Sequence, residues 1–185
     1  MIKDMLKEAE TRMHTAIQTL DNDLSGIRTG RASPTLVERL QVEYYGTPTS
    51  LMQLASISVP EPRSLLIKPF DPASIKNIER AILASDLGLT PNNDGKQIRL
   101  NLPVLTEDRR RELVKVVHGR LEDCRVAVRN VRRDVHNDMR DFEKEKLISE
   151  DDLERGEAEL QKLTDKMIEE INKHGEKKEQ EIMEV

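Results

Sequence analysis

The residues in this chain best suited to chemistry are arginines at helical spacing: Arg125, Arg129 and Arg132 on one line, with Arg133 beside it. A guanidinium is planar, keeps its charge and grips phosphate through two parallel hydrogen bonds. A row of them therefore reads as a surface for RNA or another polyanion. Arg111, Lys115, His118, His136 and Arg140 extend the row, and Glu122 is its one acidic member. A plainer reading pairs each arginine with a carboxylate three or four residues away or on a neighbouring helix, Asp123 and Asp134 among them. Spacing alone leaves both readings open.

No second chemistry competes with this row. The chain has no Gly-x-x-x-x-Gly-Lys loop for a nucleotide, no His-Glu-x-x-His or Cys-x-x-Cys spacing for zinc, and no Gly-x-Ser-x-Gly elbow. His14, His118, His136 and His174 stand singly and read as solvated or edge residues. The carboxylates punctuate helical faces without pairing in a cleft. The expectation is a protein that is not an enzyme and carries no cofactor or metal, so that any work it does draws on binding or on a partner that hydrolyses nucleotide. The near absence of aromatics, 2% of the chain, argues for docking on structured RNA by backbone and shape rather than by stacking.

The arginine row needs a rod to display it. Leu113, Val117, Leu121, Cys124, Val128, Val131, Val135, Met139 and Phe142 recur at the helical period, about 100° around the cylinder from the basic line. One long helix from Leu105 to Ile148 is expected, with Thr106 as its cap and Glu107 and Asp108 at the positive end of its dipole. Cys124 lies on the apolar line and reads as a small core residue. A lone cysteine forms no disulfide within the chain, which suits a reducing compartment.

Two further helices share this pattern. Ile2, Leu6, Ala9, Met13, Ile17, Leu20, Leu24 and Ile27 predict a first one, ending near Thr29-Gly30 before Pro34. After Ile148, Ser149 and Asp152 form a capping box that opens a third, with Leu153, Leu160, Leu163, Met167, Ile171 and Ile182 on its seam. A short connection makes it antiparallel to its predecessor.

All eight prolines fall between Pro34 and Pro103, and there the apolar period shortens to two. Strands are predicted around Leu40–Tyr44, Ala55–Val59, Leu65–Ile67 with an extension towards Pro69-Phe70 that its proline shortens, and Ile98–Leu102. A short helix capped by Asp71 runs through Ile75, Ile78 and Ile82. Turns are expected at Gly46-Thr47-Pro48, Pro60-Glu61-Pro62 and Pro91–Gly95. Tyr44, Tyr45 and Phe70 are expected in the small core rather than as platforms for bases.

The fold class is therefore α+β: an antiparallel three-helix bundle (1–30 and 105–185) with a small β/α/β domain (31–104) inserted between its first two helices. Two connections join them, 29–34 and 102–105. Thr29, Gly30, Arg31, Ala32, Pro34, Pro103, Val104 and Leu105 are the candidate hinge, against a junction locked by packing.

Charge is segregated along the chain. Arg109–Arg140 holds ten Lys/Arg against five Asp/Glu, whereas Asp141–Val185 holds eight against sixteen, which limits indiscriminate binding to polyanions. The opening residues, MIKDMLKEAE, read as neither a signal nor a transit peptide. No stretch approaches the ~18 to 20 apolar residues of a membrane span. A cytoplasmic protein without a membrane partner is expected.

Five blocks occur together and in order: Arg28–Pro34 (RTGRASP), Glu43–Pro48 (EYYGTP), Ala84–Leu89 (ASDLGL), Leu105–Arg110 (LTEDRR) and Arg125–Asp134 (RVAVRNVRRD). With these the chain closely resembles the bacterial ribosome recycling factor family over its whole length. Ser50 stands where a proline is common and Thr90 where an asparagine is common, neither on the basic edge. The resemblance implies an L-shaped, tRNA-like monomer that binds the ribosome left with mRNA and deacylated tRNA after termination. Its bundle would lie against ribosomal RNA of the large subunit, and elongation factor G with GTP would drive a movement that parts the subunits. By position, Arg129, Arg132 and Arg133 fall on the block that the family uses against RNA, with Arg28 and Arg31 beside the hinge. The rival expectation is a non-enzymatic helical adaptor for a protein partner.

Overall fold

In chain order, the computed structural model runs α1 (Ile2–Ser25), β1 (Gln41–Tyr44), β2 (Thr47–Ser50), α2 (Leu51–Leu54), β3 (Ala55–Glu61), β4 (Ser64–Pro69), α3 (Ile75–Ala84), β5 (Pro91–Asn93), β6 (Ile98–Asn101), α4 (Glu107–Lys144) and α5 (Glu150–Met183). It describes residues 1–184; Val185, the last residue of the expected bundle range, lies outside them. The chain divides into two compact units, one of Met1–Leu24 with Arg111–Gln180, the other of Ser25–Arg110 with the chain from Glu181 onward. The connecting residues 29–34 and 102–105 fall inside the second unit.

The first unit is the three-helix bundle. Ile2 lies beside Met139 and the Gly156 position, Cys124 Sγ donates to the Ala16 carbonyl, and Arg125 reaches Asn172. These contacts run α1 and α5 antiparallel to α4. The α4 seam from Leu113 to Met139 is buried at every expected position but its last, Phe142, which is half-buried. Each such buried aliphatic side chain contributes roughly 1.5–3 kcal/mol. On α5 the seam is built differently from expectation. Gly156, Thr164 and Gly175 are buried among Leu160, Met167 and Ile171, while Leu153 and Leu163 are only half-buried. The Thr164 hydroxyl is satisfied by the Leu160 carbonyl at 2.8 Å.

Local chemistry sets the helix ends. The Thr106 hydroxyl accepts from the Arg109 amide at 3.1 Å. Ser149 and Asp152 form a reciprocal capping box, the Asp152 amide donating to Ser149 Oγ at 3.1 Å and the Ser149 amide to Asp152 Oδ2 at 3.4 Å. The expected helix end at Ile148 is corrected to Lys144. Lys146 adopts φ +60°, and the amides of Lys146 and Leu147 donate back to the carbonyls of Glu143 and Phe142, a Schellman closure without glycine.

In the second unit the four-stranded antiparallel sheet has the order β3-β4-β6-β5, and β1 and β2 form a separate hairpin. α3 packs against β1 and β5, and its Ile75, Ile78 and Ile82 join Val42, Leu65, Ile67, Ile98 and Leu100 in one core. Asp71 caps the turn before α3 by accepting from the Ala73 amide at 3.0 Å.

Several turn expectations are corrected. The hairpin turn is Tyr45-Gly46, both at positive φ, and Thr47–Ser50 returns as a strand that tolerates Pro48 because a two-stranded hairpin has only edges. β3 runs on through Pro60-Glu61, so that turn sits at Pro62-Arg63. Pro91–Asn93 is an edge strand, and the turn follows it, with Asp94 Oδ1 accepting from the amides of Lys96 and Gln97. These bonds hold the Asp94 carboxyl below the usual range. Two aromatics are outside the core: Tyr45 is 80% exposed and Phe70 69%, while Tyr44 packs against the core edge and donates its hydroxyl to Asp71.

Candidate nucleic-acid interface

The arginine row lies along the edge where α4 faces α5. Four of its members sit on one line of α4: His118, Arg125, Arg132 and His136. Three of them are tied to α5. His118 meets Glu179, His136 Nε2 meets Glu157 at 2.8 Å, and Arg125 donates to Asn172 Oδ1 from Nε at 3.2 Å and from Nη2 at 2.7 Å. Arg132 is half-buried and makes no hydrogen bond or ion pair among the described residues. It is the one position on the line whose charge is left without a partner.

One carboxylate serves the outer members. Glu122, 55% exposed, takes Nη1 of Arg125 at 3.2 Å and Nη1 of Arg129 at 3.3 Å. Arg133 donates only to the neutral amide of Asn130, at 3.2 Å. Asp134 turns to α1, where it accepts from Arg12 at 3.0 Å. Intramolecular pairing thus takes up part of the row and not all of it. Arg125 is a structural residue as well as a charge, its side chain only 24% exposed. Arg129 and Arg133 each spend one donor and keep the rest, and Arg132 spends none. An exposed pair such as Glu122–Arg129 contributes at most about 1 kcal/mol and yields readily to a better anion.

Sequence spacing alone could not assign Asn172 or Glu122 their roles. Asn172 is distant in sequence and carries no charge pattern. Glu122 was legible as the row's one acid, but not as an acceptor shared by two arginines.

Arg28 and Arg31 belong to the second unit, whereas the α4 row belongs to the first. Arg28 Nη1 donates to the Leu87 carbonyl at 3.5 Å, and burial, followed by the charge of Arg109, pushes its guanidinium below its ordinary value. Arg31 pairs with Glu184 at 2.7 Å. The candidate hinge residues are bonded into the same unit. The Thr29 hydroxyl accepts from the Arg31 amide, the Ala32 amide donates to the Pro62 carbonyl at 2.7 Å, and the Leu102 amide to the Arg63 carbonyl at 2.8 Å. Pro34 opens a short 3-10 turn capped by Ser33, Pro103 and Val104 are exposed, and Leu105 is half-buried.

Among the described residues no group of three or more His, Cys, Asp or Glu side chains could hold a metal ion, and no helix is long and apolar enough to cross a membrane. What the α4 edge can do chemically is present guanidinium donors, backed by a packed helix, to phosphate oxygens.

Comparison with known proteins converges on one family. The model of the family described as ribosome recycling factor matches residues 20–183. A protein of Roseiflexus castenholzii named ribosome-recycling factor is 53% identical, and one of Halalkalibacterium halodurans with the same name 54%, each over the full length of both chains. A solution structure of the ribosome recycling factor aligns with a TM-score of 0.80 at 47% identity, covering 100% of this chain and 98% of that one. A second structure, 43% identical with a TM-score of 0.69 and full coverage of both chains, belongs to models of the T. thermophilus ribosome recycling factor and the E. coli elongation factor G bound to the E. coli post-termination complex.

Proposed function

The chain belongs to the ribosome recycling factor family, and on that footing we propose that it splits the post-termination ribosome into subunits together with elongation factor G and GTP, returning ribosomes from mRNA. The observation that carries the mechanism is the α4 edge, where Arg132 is unpartnered between side chains bonded to α5. The bundle seats this edge on ribosomal RNA of the large subunit, with Arg125, Arg129, Arg132 and Arg133 against phosphate, and Arg28 and Arg31 as further contacts. Packing along the α4 seam keeps the helix that carries the row stiff, so little backbone entropy is lost on docking. The two units move relative to one another when the partner acts, and 29–34 and 102–105, bonded within the second unit, travel with it. The factor is a cytoplasmic monomer without a cofactor or catalytic centre of its own, and the energy for splitting comes from GTP hydrolysis by elongation factor G.

The test uses purified ribosomes carrying mRNA and deacylated tRNA, followed by light scattering and gradient sedimentation. Separated subunits are expected only when the factor, elongation factor G and GTP are all present, and ribosome binding by the factor alone should weaken steeply with salt. Splitting that needs neither elongation factor G nor GTP would refute the mechanism. Binding that ignores salt and goes to a protein without RNA would favour the adaptor.

A further inference from the structure

The second unit contains a cleft of about 490 Å³ whose lining includes Arg31, Arg63, Arg110 and Glu184, with Val104 and Leu105 as apolar wall. All of these residues belong to that unit. Its charges do not balance: three guanidinium groups face one carboxylate. Glu184 satisfies Arg31 at 2.7 Å. Arg63 is exposed and makes no side-chain hydrogen bond or ion pair among the described residues. Arg110 is half-buried, and its Nε is buried without a hydrogen-bond partner. Buried donors are almost always paired, and the unmet Nε marks a guanidinium whose hydrogen-bonding capacity the fold itself does not use up.

We infer that this cleft is a binding site for a phosphate group, gripped by Arg31, Arg63 and Arg110, with the Glu184 carboxylate as its internal competitor. This deepens the RNA-contact role given to Arg31 above, and adds Arg63 and Arg110 to it. The cleft is large enough for a nucleoside monophosphate. The phosphate comes either from a free monoester or from an RNA backbone, and the same three donors serve both.

Titration of the full chain, followed through the Nε–H resonances of its arginines by NMR, tests this without a ribosome. The probes are inorganic phosphate, uridine monophosphate and a short single-stranded RNA, each against sodium chloride at matched ionic strength. The Arg110 Nε–H signal should shift saturably with phosphate-bearing probes and not with chloride. Saturation by inorganic phosphate or the monophosphate assigns the site to free monoesters, and saturation by the oligonucleotide alone assigns it to an RNA backbone. Glu184→Gln, at an exposed position just after α5, should bind the same probe about two- to five-fold tighter, because an exposed ion pair no longer has to be broken. No saturable shift with any probe, or unchanged affinity in Glu184→Gln, overturns the inference. The α4 row can fail its ribosome assay while this titration succeeds, and the reverse, so the two readings are separable.

Discussion

Replacing Glu122 by Gln should make this protein bind the ribosome more tightly. The carboxylate holds one Nη1 each of Arg125 and Arg129, at 3.2 and 3.3 Å, and is 55% exposed. Its loss costs the bundle at most about 1 kcal/mol, since exposed pairs contribute little and Arg125 keeps both bonds to Asn172. At the α4 edge the row gains one unit of net charge, and Arg129 is freed for phosphate. Each added phosphate contact steepens the dependence of log K on log salt by about 0.7–0.9. Over a four-fold change in salt, that is about three-fold in affinity beyond the wild-type loss. The assay is equilibrium binding of labelled protein to large subunits across a potassium chloride series, with thermal melts as the control for folding. Tighter binding at low salt and a steeper slope are expected. Equal or weaker binding with an unchanged slope would mean that Arg125 and Arg129 do not face phosphate, and the proposed docking edge would be wrong.

Arg132→Ala should flatten the same slope by about one unit with little change in stability, whereas Arg125→Ala should also lower the melting temperature, because it breaks two bonds to Asn172 across the bundle. Gly119→Ala meets nothing within 4 Å and should stabilise α4 by about 1 kcal/mol, but a Cβ at Gly175 would come 2.2 Å from Leu121 Cδ1. Overpacking there costs roughly 1–3 kcal/mol, so Gly175→Ala should be less stable than Gly119→Ala, and equal denaturant midpoints would contradict the packing. Lys146→Gly should stabilise by about 0.5–1 kcal/mol by relieving the positive φ at the end of α4, visible as a higher melting temperature. The hydrogen bonds from the Ser149 side chain and amide hold the Asp152 carboxyl below its ordinary value, so its contribution is fully present above the unfolded carboxylate range and is lost as pH falls through the depressed folded value. Acid titration of stability in Asp152→Asn should lack that part of the decline.

Side-chain chemistry along a single element was enough to place the bundle helices. The α4 seam recurs at a period that no strand could bury, and Thr106 and Ser149-Asp152 carry the hydrogen-bonding groups a helix start requires. The basic edge follows from the same period, because residues seven apart share a face whatever the helix packs against. The five sequence blocks bring the family with them, and the family matches.

What depended on partners distant in the chain could be decided only by folding. Gly156 and Gly175 are buried on α5 because Ile2, Met139 and Leu121 lean into the space that their missing side chains leave. Pro48 and Pro91 sit in strands because those strands are edges, a property of the sheet and not of the residue. The same holds for charge. Arg125, Arg129, Arg132 and Arg133 are equivalent as sequence, and only the register of α4 against α5 makes Arg125 a strut bonded to Asn172 and leaves Arg132 a free cation. Helical period depends on the local backbone and is written in the residues themselves, but which donor is already satisfied depends on what the other helices bring to it.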